Sequence, residues 1–229
     1  MLLAVTSTAQ AADVDYVPEP QGWGWYVSVF GGWSIPDGDI NASFTSGTGT
    51  TFVSTAAEID LDNGFMAGLA VGAQFSPWLR GEVEVSGHWH DAEGAASLYY
   101  SLSSVFTTVT ADVNGEANAL FVLANLWIDL PVGEVIKPYV GGGVGLGRLD
   151  ADFSTAAGTV GVDDSDWALA YQLGAGVGFA LSSNITIDAG YRYKVIHDAE
   201  LEAAGTAGAF DISTDYKSHN ILLGLRFGF

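Results

Sequence analysis

The feature that most constrains this chain is a strict alternation of apolar with polar or small residues, which recurs from residue 25 to the last residue. A period of two is typical of β-strands whose two faces meet different surroundings. In residues 79–89, the clearest segment, Val83 and Val85 share one face, whereas Glu82 and Glu84 share the other. The sequence therefore predicts an all-β fold. The eight predicted strands are residues 25–33, 59–75, 79–89, 117–130, 138–149, 167–181, 185–195 and 218–229.

The connections between these strands alternate in length, so that three short turns lie on one side and four long segments on the other. The turns are residues 76–78, 131–137 and 182–184, and the long segments are residues 34–57, 90–116, 150–166 and 196–217. This pattern is typical of transmembrane barrels with periplasmic turns and extracellular loops. It predicts an eight-stranded antiparallel up-and-down β-barrel that spans the outer membrane of a Gram-negative bacterium and carries four acidic extracellular loops.

The composition favours a membrane barrel over a soluble sheet protein. The chain is 48% hydrophobic, yet it has no run of about 18 apolar residues that could form a transmembrane helix. In a membrane barrel only every second residue faces lipid, which spreads apolar residues along the sequence. A soluble sandwich would have strands of about five or six residues. The net charge of −20 excludes nucleic acid as a partner, and the absence of cysteine excludes disulfides and thiolate metal sites.

The polar faces of the predicted strands carry most of the basic residues, together with acidic ones. An eight-stranded barrel has an interior just wide enough for side chains, and unpaired charges there are costly. The sequence therefore predicts a plugged lumen that is filled by an ion-pair network. The predicted members are Arg80, Glu82, Glu84, Arg148, Asp188, Arg192, Lys194 and Arg226. Trp127 also has the inward parity, and the sequence assigns it no role.

Two patterns superficially suggest ligand chemistry. The glycines of residues 141–147 and 174–178 lie inside strands and not at a strand-to-helix turn, so they do not predict a phosphate loop. A better interpretation is that they line the lumen and leave room for long Arg and Glu side chains from the opposite wall. Glu84, Ser86 and His88 share a face, but residues two apart on a strand stand side by side toward the lumen. No catalytic, cofactor or metal site is predicted.

The N-terminal residues predict export. Residues 1–11 are interpreted as a signal peptide without its usual basic segment, because Leu-Leu-Ala-Val at residues 2–5 is apolar and Ala-Gln-Ala at residues 9–11 is a small-x-small cleavage site. Residues 12–24 are acidic and contain proline, and we expect them to form a periplasmic leader. Residues 25–229 are expected to form the barrel.

Three stretches carry a family resemblance. The last strand ends in Phe227, Gly228 and Phe229, residues 137–145 read Lys-Pro-Tyr-Val-Gly-Gly-Gly-Val-Gly, and residues 191–196 read Tyr-Arg-Tyr-Lys-Val-Ile. The chain thereby resembles the outer-membrane β-barrel family of opacity-like porins, alphaproteobacterial and rickettsial small surface antigens and the OmpA transmembrane domain. The resemblance implies that Phe227 and Phe229 form the signal read by the barrel-assembly machinery during insertion.

The resemblance is specific for fold and weak for function, because these relatives include adhesins, antigens and structural proteins. The expected function is that of a structural or surface-interaction protein, antigen-like or adhesin-like, whose barrel is the membrane anchor. The expected partners are outer-membrane lipid, lipopolysaccharide and a host or extracellular ligand held by the loops. A narrow small-solute or cation-preferring porin-like channel is the alternative, and a lipid-modifying enzyme is a third possibility.

Overall fold

The computed structural model describes most of the chain as ten β-strands. The described residues are 24–37, 40–48, 51–102, 105–130, 132–133, 135–155, 160–205 and 208–229. The strands are β1 (Gly24–Pro36), β2 (Ile40–Thr48), β3 (Thr51–Leu61), β4 (Gly64–Ser76), β5 (Leu79–Leu102), β6 (Val105–Asp129), β7 (Ile136–Thr155), β8 (Val160–Ala180), β9 (Ile185–Gly205) and β10 (Gly208–Gly228). The predicted signal peptide and residues 12–23 of the predicted leader lie outside the described residues. Within the described part, no helix is long and apolar enough to cross a membrane.

Eight of these strands close into a ring. β1 pairs with β4 on one side and with β10 on the other, and the order β1-β4-β5-β6-β7-β8-β9-β10 returns to β1. Every pair of neighbours in the ring is antiparallel. The first and last strands are locked together from Tyr26↔Gly228 to Pro36↔Ser218. The predicted eight-stranded antiparallel barrel is confirmed.

The strands run much further than the sequence predicted. β5 and β6 pair from Leu79↔Ile128 to Leu102↔Val105, so residues 90–116 are nearly all hairpin and not an irregular loop. Residues 150–166 and 196–217 are likewise mainly strand, and residues 34–57 contain β2, which pairs with β3. The alternation is weak in these segments because alanine occupies many inward positions, so no apolar period stands out.

The outer wall of β5 changes from apolar to acidic along the strand. On β5 the exposed Val83 and Val85 are followed, beyond Trp89, by the exposed Asp91 and Glu93. Val83 is 57% exposed, which agrees with the predicted outward parity. We call the part with apolar outer walls the transmembrane part. We call the remainder the distal extension, which comprises β2, β3 and residues 90–117, 150–166 and 196–217.

Aromatic rings mark the boundary between the two parts. Trp33, Phe65 and Trp89 occupy matching positions on the adjacent strands β1, β4 and β5, and all three are exposed. The Phe65 and Trp89 rings stack with their centroids 4.8 Å apart. Amphipathic and aromatic rings favour the membrane–water interface, so this level marks where the apolar wall ends.

The polarity of the interior changes in the opposite sense to that of the outer wall. Charged and polar side chains line most of the lumen of the transmembrane part, whereas a buried apolar cluster extends from the upper end of that part into the distal extension. That cluster consists of Ile59, Ala92, Ala96, Val113, Ala117, Ala119, Phe121, Leu123, Leu149, Ala151, Phe153, Val162, Ala170, Ile196, Ala199, Leu201 and Tyr216. The distal extension is therefore apolar inside and acidic outside, as in a water-soluble sheet protein.

One ladder of the distal extension is interrupted. The pairing of β8 with β9 stops at Leu169↔His197 and resumes at Val162↔Ala203. In the gap, the Asp164 carboxylate accepts the backbone N–H of Glu202 at 2.8 Å. This contact and a second backbone hydrogen bond, from Ser165, hold the pKa of the Asp164 carboxyl below its ordinary value. Acidic side chains thus replace part of the missing ladder.

Candidate functional site

The candidate site is the charged network in the lumen of the transmembrane part. Four basic side chains, Arg80, Arg192, Lys194 and Arg226, face four carboxylates, Glu82, Glu84, Asp129 and Asp188. These charges cancel, so the chain's net charge of −20 belongs to residues outside the network. A buried set of charges with no net excess is what a narrow, poorly hydrated interior requires.

Glu84 is the centre of the network and is fully buried, at 0% exposure. Arg192 Nη1 donates to its Oε2 atom, and Lys194 Nζ donates to its Oε1 atom at 2.5 Å. The Asn125 and Gln172 side-chain amides each donate to Oε2 at 2.9 Å. One carboxylate therefore has two cations and two amide donors around it, and these contacts oppose the cost of burying its charge.

A second cluster surrounds Glu82 nearer the short turns. Its carboxylate accepts hydrogen bonds from Tyr26 Oη at 2.9 Å and from Trp127 Nε1 at 2.8 Å. Arg80 lies 3.7 Å from Glu82 and donates through Nε to Asp129 Oδ1 at 3.0 Å. The Arg80 guanidinium also lies over aromatic rings, including the Tyr139 ring at 4.7 Å, where cation–π attraction adds to its pairing.

A third pair sits between β9 and β10. Arg226 binds Asp188 through two parallel contacts, Nη2 to Oδ1 at 2.6 Å and Nε to Oδ2 at 3.1 Å. The two side chains are 13% and 12% exposed, so this pair is less enclosed than the Glu84 cluster. Bidentate geometry of this kind fixes the orientation of both groups.

Arg148 does not join the network, contrary to the sequence prediction. It continues the outward parity of Val144 and Leu146 on β7, and its side chain is 43% exposed. Its Nη2 atom lies 3.2 Å from Asp150 Oδ2 and 2.8 Å from Ser165 Oγ. The prediction failed because the residue was grouped by charge rather than by strict parity along its strand.

Several residues that sequence reasoning did not include are part of the network. Asn125, Trp127 and Asp129 occupy successive inward positions on β6, so strict parity would have found all three. Trp127 is 0% exposed, and its indole N–H bonds to Glu82. Tyr26 faces inward from β1, and no local signal in the sequence indicates its bond to a residue 56 positions away.

The glycines of β7 and β8 face side chains from neighbouring strands and not only from the opposite wall. A Cβ at Gly143 would lie 1.8 Å from Asn125 Oδ1, and a Cβ at Gly176 would lie 2.5 Å from the Tyr139 ring. The expected space for long side chains is thus occupied mainly by adjacent amide and aromatic groups. Gly174 does not follow the prediction either: its Cβ would lie 3.2 Å from Arg192 Cγ, but Arg192 is its cross-strand neighbour on β9 and not a residue of the opposite wall.

Glu84, Ser86 and His88 do not form a serine–histidine relay. Ser86 Oγ donates to Glu84 at 3.0 Å and accepts from Lys194 at 2.6 Å. His88 Nδ1 instead bonds to Ser34 Oγ at 3.1 Å. All three residues are no more than 1% exposed, so lipid does not reach them. Among the described residues, no three His, Asp or Glu side chains converge as metal ligands.

The residues of the predicted assembly signal lie at the end of β10. Phe227 is 40% exposed and pairs with Val27 and Ile185 on the adjacent strands. Phe229 is 76% exposed, and its backbone N–H donates to Trp25 O at 2.9 Å. Both side chains are therefore accessible at the outer wall, while the backbone is held by the first strand.

Comparison with known proteins identifies a family. The profile of the outer membrane protein beta-barrel domain matches residues 1–229. An uncharacterized protein of Brucella abortus is 24% identical over an alignment that covers 100% of this chain and 95% of the relative. The outer membrane protein PagN of Salmonella typhimurium is 26% identical over 129 residues, which are 53% of this chain and 54% of PagN.

Solved structures show the same fold. Neisserial surface protein A has a TM-score of 0.52 at 19% identity, covering 90% of this chain and 97% of its own. The outer membrane protein OprG from Pseudomonas aeruginosa has a TM-score of 0.52 at 18% identity, covering 90% of this chain and 98% of its own. At these identities the likeness concerns fold alone.

Proposed function

The chain belongs to the outer membrane protein beta-barrel domain family and is a protein of the Gram-negative outer membrane, and we propose that it is a non-conducting surface-interaction protein. In this proposal the transmembrane part is the anchor, and the distal extension presents a binding surface outside the cell. The single observation that carries the proposal is the inversion of polarity along the strands. An apolar core beneath an acidic outer wall supports a folded extracellular platform rather than a channel mouth.

Two layers of buried side chains support the proposal that the lumen is plugged. The lower layer is the neutral network around Glu82 and Glu84, whose side chains are no more than 2% exposed. The upper layer is the apolar cluster, in which Phe121 and Ile196 are completely buried. Ions would have to cross both layers, and the few polar groups of the upper layer, His88, His90 and Tyr216, bond to one another.

Conductance tests the plug. In planar bilayers the purified protein should show no steady conductance, because both layers block the axis. A variant that removes equal numbers of opposite charges and opens the apolar layer should leak ions. Its substitutions are Arg80→Ala, Glu82→Ala, Glu84→Ala, Arg192→Ala and Phe121→Ala. Retained heat-modifiable mobility on gels would show that this variant still folds. A stable cation-selective conductance from the unmodified protein would instead support the narrow-channel alternative.

Labelling of single cysteines tests the orientation, and the chain has no cysteine of its own to interfere. Thr108→Cys lies on the exposed wall of the β5–β6 hairpin, and Ser183→Cys lies in the short turn between β8 and β9. A membrane-impermeant maleimide should label position 108 on intact cells, and position 183 only after the outer membrane is permeabilised. The opposite pattern would reverse the proposed topology.

The proposed partners follow from the same arrangement. Outer-membrane lipid covers the apolar wall. Arg148 lies where that wall ends, and its cross-strand neighbour is Trp167 of β8. A guanidinium beside an interfacial indole is suited to the phosphates of lipopolysaccharide. The exposed Phe227 and Phe229 are the groups that we expect the barrel-assembly machinery to read. A host or extracellular ligand would bind the distal extension.

A further inference from the structure

In the described part of the distal extension, two strand edges face each other without pairing. β1 follows β10 as far as Pro36↔Ser218, after which the Asp37 N–H donates to Lys217 O at 3.0 Å. Beyond this point β2 lies near β10. Among the described pairings, however, β2 bonds only to β3, and residues 208–216 of β10 bond only to β9. We call the opening between these two edges the β2–β10 seam.

The two edges of the seam differ in their protection against pairing. Exposed strand edges carry free backbone donors and acceptors. Proteins normally protect such edges with proline or with charged residues, especially lysine. β2 is nine residues long and contains no charged residue and no proline. On β10, residues 208–217 include three charged residues, Asp211, Asp215 and Lys217, but no proline. The uncharged β2 edge is therefore the one more suited to accept an added strand.

The surroundings of the seam define which strand would fit. Outside, on the neighbouring strand β9, Asp198, Glu200 and Glu202 are all exposed. Inside, the apolar cluster reaches the seam through Ile59 of β3 and Tyr216 of β10, which are both buried. Successive side chains of a bound strand point alternately outward and inward. The matching partner would therefore carry basic residues on one face and apolar residues on the other.

We propose that the β2–β10 seam binds an extended, cationic amphipathic polypeptide by β-strand addition. The inference rests on the proposed function only in requiring that the distal extension faces the outside. Backbone hydrogen bonds to the two edges provide affinity, and the acidic wall selects basic side chains. A second copy of this chain is a poor occupant, because each copy has a net charge of −20.

Hydrogen exchange with synthetic peptides tests the proposal on the full chain in nanodiscs. The probe is a nine-residue peptide that alternates lysine with valine, matched to the length of β2. It should slow exchange of alternate amides in β2 and in residues 208–217 by about tenfold or more, because added ladder bonds protect them. The same peptide with alternate backbone amides methylated keeps the charge but loses ladder donors, and it should give no protection.

Charge-reversal variants test the role of the acidic wall. Glu200→Lys with Glu202→Lys should weaken binding of the lysine–valine peptide by about tenfold, since two attractive contacts become repulsive. Glu116→Lys with Asp152→Lys makes the same charge change on β6 and β7, away from the seam, and should leave the affinity within about twofold.

Three results would overturn the proposal. Equal protection by the methylated peptide, or protection located elsewhere, would reduce the effect to nonspecific charge attraction. Slow exchange, in the protein alone, of the β2 amides that do not bond to β3 would mean that the seam is already paired. Protection that grows with protein concentration in the absence of peptide would identify a second copy as the occupant. None of these results changes the conductance on which the plugged lumen depends.

Discussion

Replacing Glu84 with glutamine should lower the free energy of unfolding by about 3–5 kcal/mol, because Arg192 and Lys194 would lose their shared buried counter-charge. The measurement is urea-induced unfolding in lipid vesicles, followed by tryptophan fluorescence. Glu93→Gln is the matched control on the same strand. Glu93 is exposed on the outer wall, so its replacement should change stability by no more than about 0.5 kcal/mol.

A double variant separates lost pairing from lost packing. Glu84→Gln combined with Lys194→Met removes one charge of each sign and should be less destabilised than Glu84→Gln alone. If Glu84→Gln were as stable as the unmodified protein, water would have to solvate the two cations, and the lumen would not be a dry plug. That outcome would also weaken the expectation that the protein shows no steady conductance in planar bilayers.

Replacing Val83 with arginine should lower the free energy of unfolding by about 2–4 kcal/mol, as for a cation near the middle of the apolar wall. Val83 is 57% exposed and lies between the β4–β5 turn and Trp89, so the new charge would face lipid. The measurement is again urea unfolding in vesicles.

Val109→Arg is the control for this substitution. Val109 is 50% exposed on β6, but it lies in the distal extension, where we expect water outside. Arginine there should change stability by no more than about 0.5 kcal/mol. Equal losses at positions 83 and 109 would mean that the boundary between apolar and acidic walls is not the membrane interface.

The candidate site was only partly predictable from the sequence. Parity along β5 is enough to separate the buried Glu82 and Glu84 from the exposed Val83. Applied strictly, the same parity rule places the Arg148 side chain on the outer wall. The sequence prediction was wrong because it grouped Arg148 with the other basic residues by charge. Parity cannot reveal partners, however. Glu84 and Lys194 are 110 residues apart and meet only because the closed ring brings β5 and β9 to face each other across the lumen.

The sequence by itself determined the architecture of the transmembrane part, because lipid outside and a narrow lumen inside impose opposite polarities on successive residues. The distal extension was decided only by tertiary structure. Its many alanine and glycine residues have little local preference for a strand, and they form one when neighbouring strands pair with them. The same holds for the β2–β10 seam, since whether a strand edge is covered depends on where the whole ring closes.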